Sequence, residues 1–222
     1  MKKLYRIIDF GQEKLNVPGK VVSIEYDPYR TSFITLVEYK DGDKRYLLAP
    51  KDLKVGDEII CSDTAETKLG NRTKLKNITI GKEVFNIEIE AGRGGKMVRG
   101  AGTAATVIAQ EPPFTHLEMP SGESRKVPQE CFASIGVVSN EKHSFEILGK
   151  AGRKRLMGIR PTVRGTAMIP QSHPHGGGNG KTTTGMRFPK TPWGKPARGV
   201  RTRVRFSTNK FIIKRRKRKD GQ

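Results

Sequence analysis

Between Ile147 and Lys219 the chain has no acidic residue. Residues 150–222 hold 21 of its 43 Lys and Arg but one of its 22 acids, Asp220, a net +20, and residues 1–149 come to +1. A segment with no counter-charge of its own must have its self-repulsion screened from outside, and a polyanion is the surface that does so. Cysteine is nearly absent too. Cys61 and Cys131 are far apart, with no metal-ligand spacing around either, and read as buried, reduced thiols suited to a reducing compartment. No run approaches the ~18 apolar residues of a membrane span. The opening MKKLYRIIDF is interrupted by Arg6 and Asp9 and is no signal peptide. No Ser/His/Asp or Cys/His signature of nucleophilic catalysis is present.

Hydrophobic residues are also scarce, at 34%, and unevenly placed. The first two thirds carry the Val, Ile, Leu, Phe and Tyr runs and can bury a core. The last third carries Gly, Pro and Arg instead. Ordering a backbone costs roughly 1–2 kcal/mol per residue, and this segment has little apolar area to offset it. It is expected to order only against its partner.

What is present reads as mainly β. Leu4–Phe10 is apolar-rich; Lys20–Tyr26 and Phe33–Tyr39 alternate as half-buried strands do. Asp41-Gly42 turns the chain into Lys44–Leu48, and Val55-Gly56-Asp57 turns it into Glu58–Cys61. Five short strands in about 60 residues point to an OB-type barrel. Residues 62–75 are polar and read as a linker. Further strands are expected at Asn77–Ile80, Val84–Glu90, Ala104–Gln110, Thr115–Met119, Glu123–Val127 and Ala133–Val138, punctuated by Pro112-Pro113, Pro120 and Ser121-Gly122. They make a second small barrel. One helical piece is expected near Gly152–Met157, stopped by Gly158 and Pro161. The division is 1–66, 67–148, and an extended basic arm of little regular structure over 149–222.

Several stretches can carry chemistry. Gly92–Gly102 is a glycine-rich loop with Arg93, Lys96 and Arg99, where bare backbone can approach phosphates; the alternative is a solvated connection. In residues 173–185, Gly180-Lys181-Thr182 resembles the end of a P-loop. Its first glycine would fall at His175, two prolines sit in the approach, and Thr-Thr-Thr-Gly starts a helix poorly, so nucleotide hydrolysis is disfavoured. His173 and His175 flank one proline with no third ligand near, which argues against zinc. The favoured reading is a rigid turn presenting imidazoles and backbone N–H groups to RNA. Lys214–Lys219 is an unbroken run of cations, weak alone. It closes a tail in which Phe188, Trp193, Phe206 and Phe211 lie among Arg and Gly, so that rings can stack on bases while cations track phosphates. The RNA contacts expected in the tail are Arg153, Lys154, Arg155, Arg160 and Arg164; then His173, His175, Gly176, Gly177, Gly178 and Lys181; then Trp193, Lys195, Arg201, Arg203, Lys214, Arg215 and Arg216.

The runs GKAGRKRLMGIRPTVRGTAM (149–168), HPHGGG (173–178), TPWGKPARGVRTR (191–203) and KFIIKRR (210–216) resemble large-subunit ribosomal protein two, the L-two family, in its bacterial and organellar form. YRIIDF (5–10), IEYDPYR (24–30), KRYLLAPKDLKVGD (44–57) and GRGGKMVRGAGT (92–103) follow the same family in the same order, so the resemblance covers essentially the whole chain. It implies an OB-type barrel, an SH3-like barrel and an arm that penetrates rRNA. It implies roles in subunit assembly, subunit association and support of the peptidyl transferase region, with the first histidine, here His173, linked to activity. The implied partners are large-subunit rRNA, other large-subunit proteins and the small subunit, with no membrane, no cofactor, no metal, no homo-oligomer and no enzymatic role.

Three departures stand out. Only Met1-Lys2-Lys3-Leu4 precede YRIIDF, where the family carries a basic extension. Ile169-Pro170-Gln171-Ser172 replaces N-P-V-D, so no carboxylate precedes His173, and Asn179 replaces the acid after the glycines. The short start points to a reduced ribosome in an organelle, mitochondrial before plastid, with a bacterial source as the alternative. A rival function is a free regulatory or translation-factor-like RNA-binding protein.

Overall fold

The computed structural model describes residues 5–179, 183–200 and 202–216. The chain is mostly β, with curled antiparallel sheets that make an OB-type barrel followed by an SH3-like barrel. In the first sheet β1 (Gly19–Glu25), β2 (Ile34–Tyr39), β3 (Lys44–Leu48) and β4 (Glu58–Ile59) run in the order β3-β2-β1-β4. Val21, Val37, Tyr39, Leu47, Leu53 and Ile59 fill its interior. The inward side chains are the alternate residues of the strands read from the sequence.

The leading segment is not the strand expected at Leu4–Phe10. Its described part makes a single parallel bridge, Ile8 to Tyr46. The Asp9 carboxylate accepts N–H bonds from Gly11 and Gln12 and bends the chain away, so pairing stops.

The second sheet has the order β13-β11-β10-β9-β6-β12-β5. Its strands are β5 (Arg72–Lys74), β6 (Glu83–Phe85), β9 (Ala105–Glu111), β10 (Phe114–Glu118), β11 (Ser124–Pro128), β12 (Phe132–Ile135) and β13 (Ile212–Lys214). A two-stranded ribbon, β7 (Ile87–Glu88) with β8 (Gly95–Met97), stands beside it. Leu75, Ile78, Val84, Ile87, Val107, Leu117 and Val127 are among the residues that close the core. Both cysteines are buried free thiols. Burial raises Cys61 from its ordinary 9.0 to about 11 and Cys131 to about 12, which leaves each thiol protonated and inert at neutral pH.

Four expectations are corrected here. Part of the supposed linker is β5, which pairs with β12 and also exchanges backbone bonds with Ile60 and Ser62 of the first barrel. Asn77–Ile80 is no strand. Leu75–Asn77 is a 3₁₀ turn, and the three-residue spacing sends both Leu75 and Ile78 into the core. Val84–Glu90 is broken at Asn86, whose φ of 48° separates β6 from β7. Gly92–Gly102 is more than a loop, because β8 lies within it.

The chain divides into two compact units. Ile147–Phe206 is one; the two barrels, rejoined by the chain from Ser207 onward, are the other. In the first, α1 (Ala151–Leu156) is a single short helix with no buried residue. In the second, β13 pairs antiparallel with β11, and Phe211 sets its ring edge-on to Phe114 at 6.2 Å. The arm, expected to have little regular structure, has a short strand near its end. Ile212–Lys214 joins the barrel there, because Phe211 and Ile212 supply apolar contact.

Candidate nucleic-acid interface

Many of the described cations of the barrels are neutralised where they stand. Lys14 bridges Asp41 and Asp43, Arg45 bridges Asp9 and Asp43, Lys74 bridges Asp63 and Glu130, and Lys51 meets Glu141. Lys76 and Lys74 hold the Glu130 carboxyl below its ordinary value. The unit Ile147–Phe206 has no carboxylate with which to do the same.

Most of its described cations are on the outside. Arg153, Lys154, Arg155, Arg160 and Arg164 are all exposed. The three of α1 sit in its last turn, where cations suit the partial negative charge of the helix end. Trp193 is 83% exposed and Lys195 is exposed beside it, in a turn closed by a bond from Thr191 N–H to the Lys195 carbonyl. Phe188 and Phe206 are also exposed, whereas Phe211 is used in packing. Arg203 is half-buried; Lys214, Arg215 and Arg216 are exposed. Lys181, Arg201 and the Gly180-Lys181-Thr182 triplet lie outside the described residues. The approach to that triplet consists of turns, with no strand leading in.

HPHGGG is folded in on itself. His173 is only 7% exposed. Its Nδ1 accepts the N–H of His175 at 3.0 Å, and the His175 Nε2 in turn accepts the N–H of Lys190 at 2.8 Å. These bonds fix one tautomer for each ring. The two rings tilt together at 4.7 Å. Backbone bonds from His173 to Ile169, Gly176 to the His173 carbonyl, and Gly177 to Met168 close the turn. A Cβ on Gly165 would fall 2.5 Å from the His173 ring, and one on Gly176 would fall 2.3 Å from the Ile169 carbonyl oxygen. The glycines are therefore required by contact, and His173 is a packed internal group that does not face outward. Gly176 and Gly177 are half-buried, and Gly178 is exposed.

The third feature is the loop between β7 and β8. Arg93 and Lys96 are exposed at its rim, Arg93 in a surface pair with Glu90 at 2.7 Å. Arg99 lays its guanidinium 4.4 Å above the Phe10 ring and donates to the Gly95 carbonyl, while Arg30 approaches the same ring at 5.6 Å. Gly95 donates to the Phe10 carbonyl at 2.9 Å. A Cβ on Gly94 would press on the Gly11 backbone, and one on Gly95 would collide with Asn86. Sequence reasoning missed the residues beneath. Arg72 and Glu88, both fully buried, form an ion pair at 3.0 Å. A polar residue in a short strand gives no periodic signal, so nothing in the sequence marked either.

Among the described residues no three His, Cys, Asp or Glu side chains are grouped to hold a metal ion, and no helix is long and apolar enough to cross a membrane.

Two barrels carrying an arm of one-signed charge and outward aromatics define an RNA-binding protein built to sit within a larger assembly. Comparison with protein families makes this specific. Residues 1–61 match the family described as Ribosomal Proteins L2, RNA binding N-terminal domain, and residues 68–194 match Ribosomal Proteins L2, C-terminal domain. The chain belongs to the ribosomal protein L2 family, and is a structural protein of the large ribosomal subunit that binds rRNA.

Proposed function

We propose that this chain grips large-subunit rRNA with two surfaces, the unit Ile147–Phe206 and the Gly92–Gly102 loop, and through them supports subunit assembly, contact with the small subunit and the shape of the peptidyl transferase region. The observation that carries this reading is the contrast in neutralisation. Many cations of the barrels, Lys14, Lys51 and Lys74 among them, have carboxylate partners, whereas the described cations of the arm are mostly exposed, in a segment that contains no carboxylate. Phosphates take the place of those missing carboxylates. Exposed Trp193, Phe188 and Phe206 are suited to stacking on unpaired bases. The chain's own side chains carry no catalysis in this reading; any chemistry belongs to the RNA.

The test is the salt dependence of rRNA binding. Arg153→Ala with Lys154→Ala and Arg155→Ala should flatten the plot of log affinity against log salt by about 2, at roughly 0.7 per phosphate contact on single strands. Lys14→Ala, which removes a cation already bridged to Asp41 and Asp43, should leave the slope unchanged. An unaltered slope in the triple variant would remove α1 from the interface.

A further inference from the structure

We propose that Glu88, seated on Arg72, is the positioning residue of the Gly92–Gly102 loop, holding its backbone in the form that meets phosphate. This rests on the reading of that loop as an rRNA contact.

The geometry begins in the core. Arg72 leaves β5 and enters the interior of the second barrel, where it is 0% exposed. Its Nη1 donates to the Asn86 carbonyl at 2.8 Å, and its Nη2 donates to Glu88 Oε1 at 3.0 Å. The second carboxylate oxygen, Oε2, accepts the N–H of Gly92 at 3.2 Å and the N–H of Phe132 at 3.1 Å. One carboxylate therefore joins three parts of the fold: the guanidinium below it, the start of β12, and the first residue of the loop. The Asn86 held by Arg72 is itself tied to the loop just past β8, because its N–H donates to the Val98 carbonyl at 2.8 Å. Both ends of the Gly92–Val98 segment thus rest on one buried ion pair. Gly92 has a φ of 74°, a left-handed conformation that presents its N–H to the carboxylate.

Stability alone is a poor reason for such a pair. Removing two charges from water costs several kcal/mol per ion, and a well-packed apolar pair of similar volume is often as stable or more so. An apolar pair could not hold the Gly92 N–H or the Asn86 carbonyl. What the ion pair supplies that packing cannot is a fixed loop. Arg93 and Lys96, at the rim, then need lose little freedom when they meet RNA.

The experiment uses the full chain and a transcript of large-subunit rRNA. Replacing the pair together, Arg72→Met with Glu88→Leu, removes the buried charges but strips the Gly92 and Phe132 N–H groups and the Asn86 carbonyl of their partners, so the thermal midpoint should fall. The double replacement should weaken rRNA binding about tenfold, the scale of one charge-assisted hydrogen bond. The loss should vanish in a background already carrying Arg93→Ala and Lys96→Ala, a coupling that a merely structural role would not produce. Glu88→Asp keeps both charges but withdraws the carboxylate. It should weaken binding in the same direction and speed hydrogen exchange at the Gly92 amide, so the test stands even where the paired variant folds poorly. Wild-type binding by the Glu88 variants, with Arg93→Ala and Lys96→Ala still weakening it, would overturn the positioning role and leave the loop contact standing. Wild-type binding by Arg93→Ala with Lys96→Ala would instead remove the loop from the interface, and the proposal with it.

Discussion

At the scale of single residues, burial decides what a side chain does. His173 was expected to point at RNA, as a histidine between glycines and prolines suggests. It is packed against Gly165 and accepts the His175 N–H. We propose that it acts through the shape of the turn. His173→Ala should loosen that turn and lower the yield of assembled subunits. Gly165→Ala, which drives a methyl into the same ring, should do the same without touching the imidazole. His173→Gln, with an amide oxygen in place of Nδ1, should recover part of the yield. Reconstituted large subunits, scored first for yield and then for peptide-bond rate per particle, separate the cases. A full yield with a lost rate in His173→Gln would point back to proton transfer by the ring.

Elements show where the sequence was legible. KVVSIEY and FITLVEY became β1 and β2 with boundaries close to those read, because each buries one face and alternation records that. β5 was read as linker, because its inward residues are Arg72 and Thr73 and their partners are distant in sequence. The same blindness hid Glu88. The basic glycine loop was visible from composition, but the ion pair that ties it down was not. At the end of the chain, KFIIK was read as part of a basic tail, because its apolar residues are too few to form a pattern. Phe114, far upstream, gives them a place. Phe211→Ala should lower stability by about 1 kcal/mol, the worth of an aromatic pair beyond its area. Phe206→Ala, at an exposed ring, should stay within about 0.5 kcal/mol. Thermal unfolding of the free protein compares them. Equal midpoints for the two variants would mean that β13 contributes nothing to the barrel.

For the whole molecule the proposal makes the division of charge a division of labour, and the return of the chain at Ser207 changes how it must be tested. Cutting at residue 150 would remove the arm but also β13, baring the edge of β11 and the Phe114 ring. A clean deletion takes out 150–205 and bridges the gap with about 20 Gly and Ser residues, a reach of roughly 25 Å. It removes 14 Lys and Arg and no acid. The barrels and β13 keep their cores and pairing, so cooperative unfolding should persist with a midpoint close to that of the full chain. Binding to rRNA should fall steeply, and the salt slope should flatten by about 5 or more if half of those cations meet phosphates at roughly 0.7 each. The residual binding should depend in part on Arg93 and Lys96, the exposed cations of the glycine-rich loop, of which Arg93 must give up its surface pair with Glu90. A deletion variant that kept the full affinity and slope would place the interface on the barrels. One that lost cooperative unfolding would mean that the arm is part of the barrels' stability as well as of their grip on RNA.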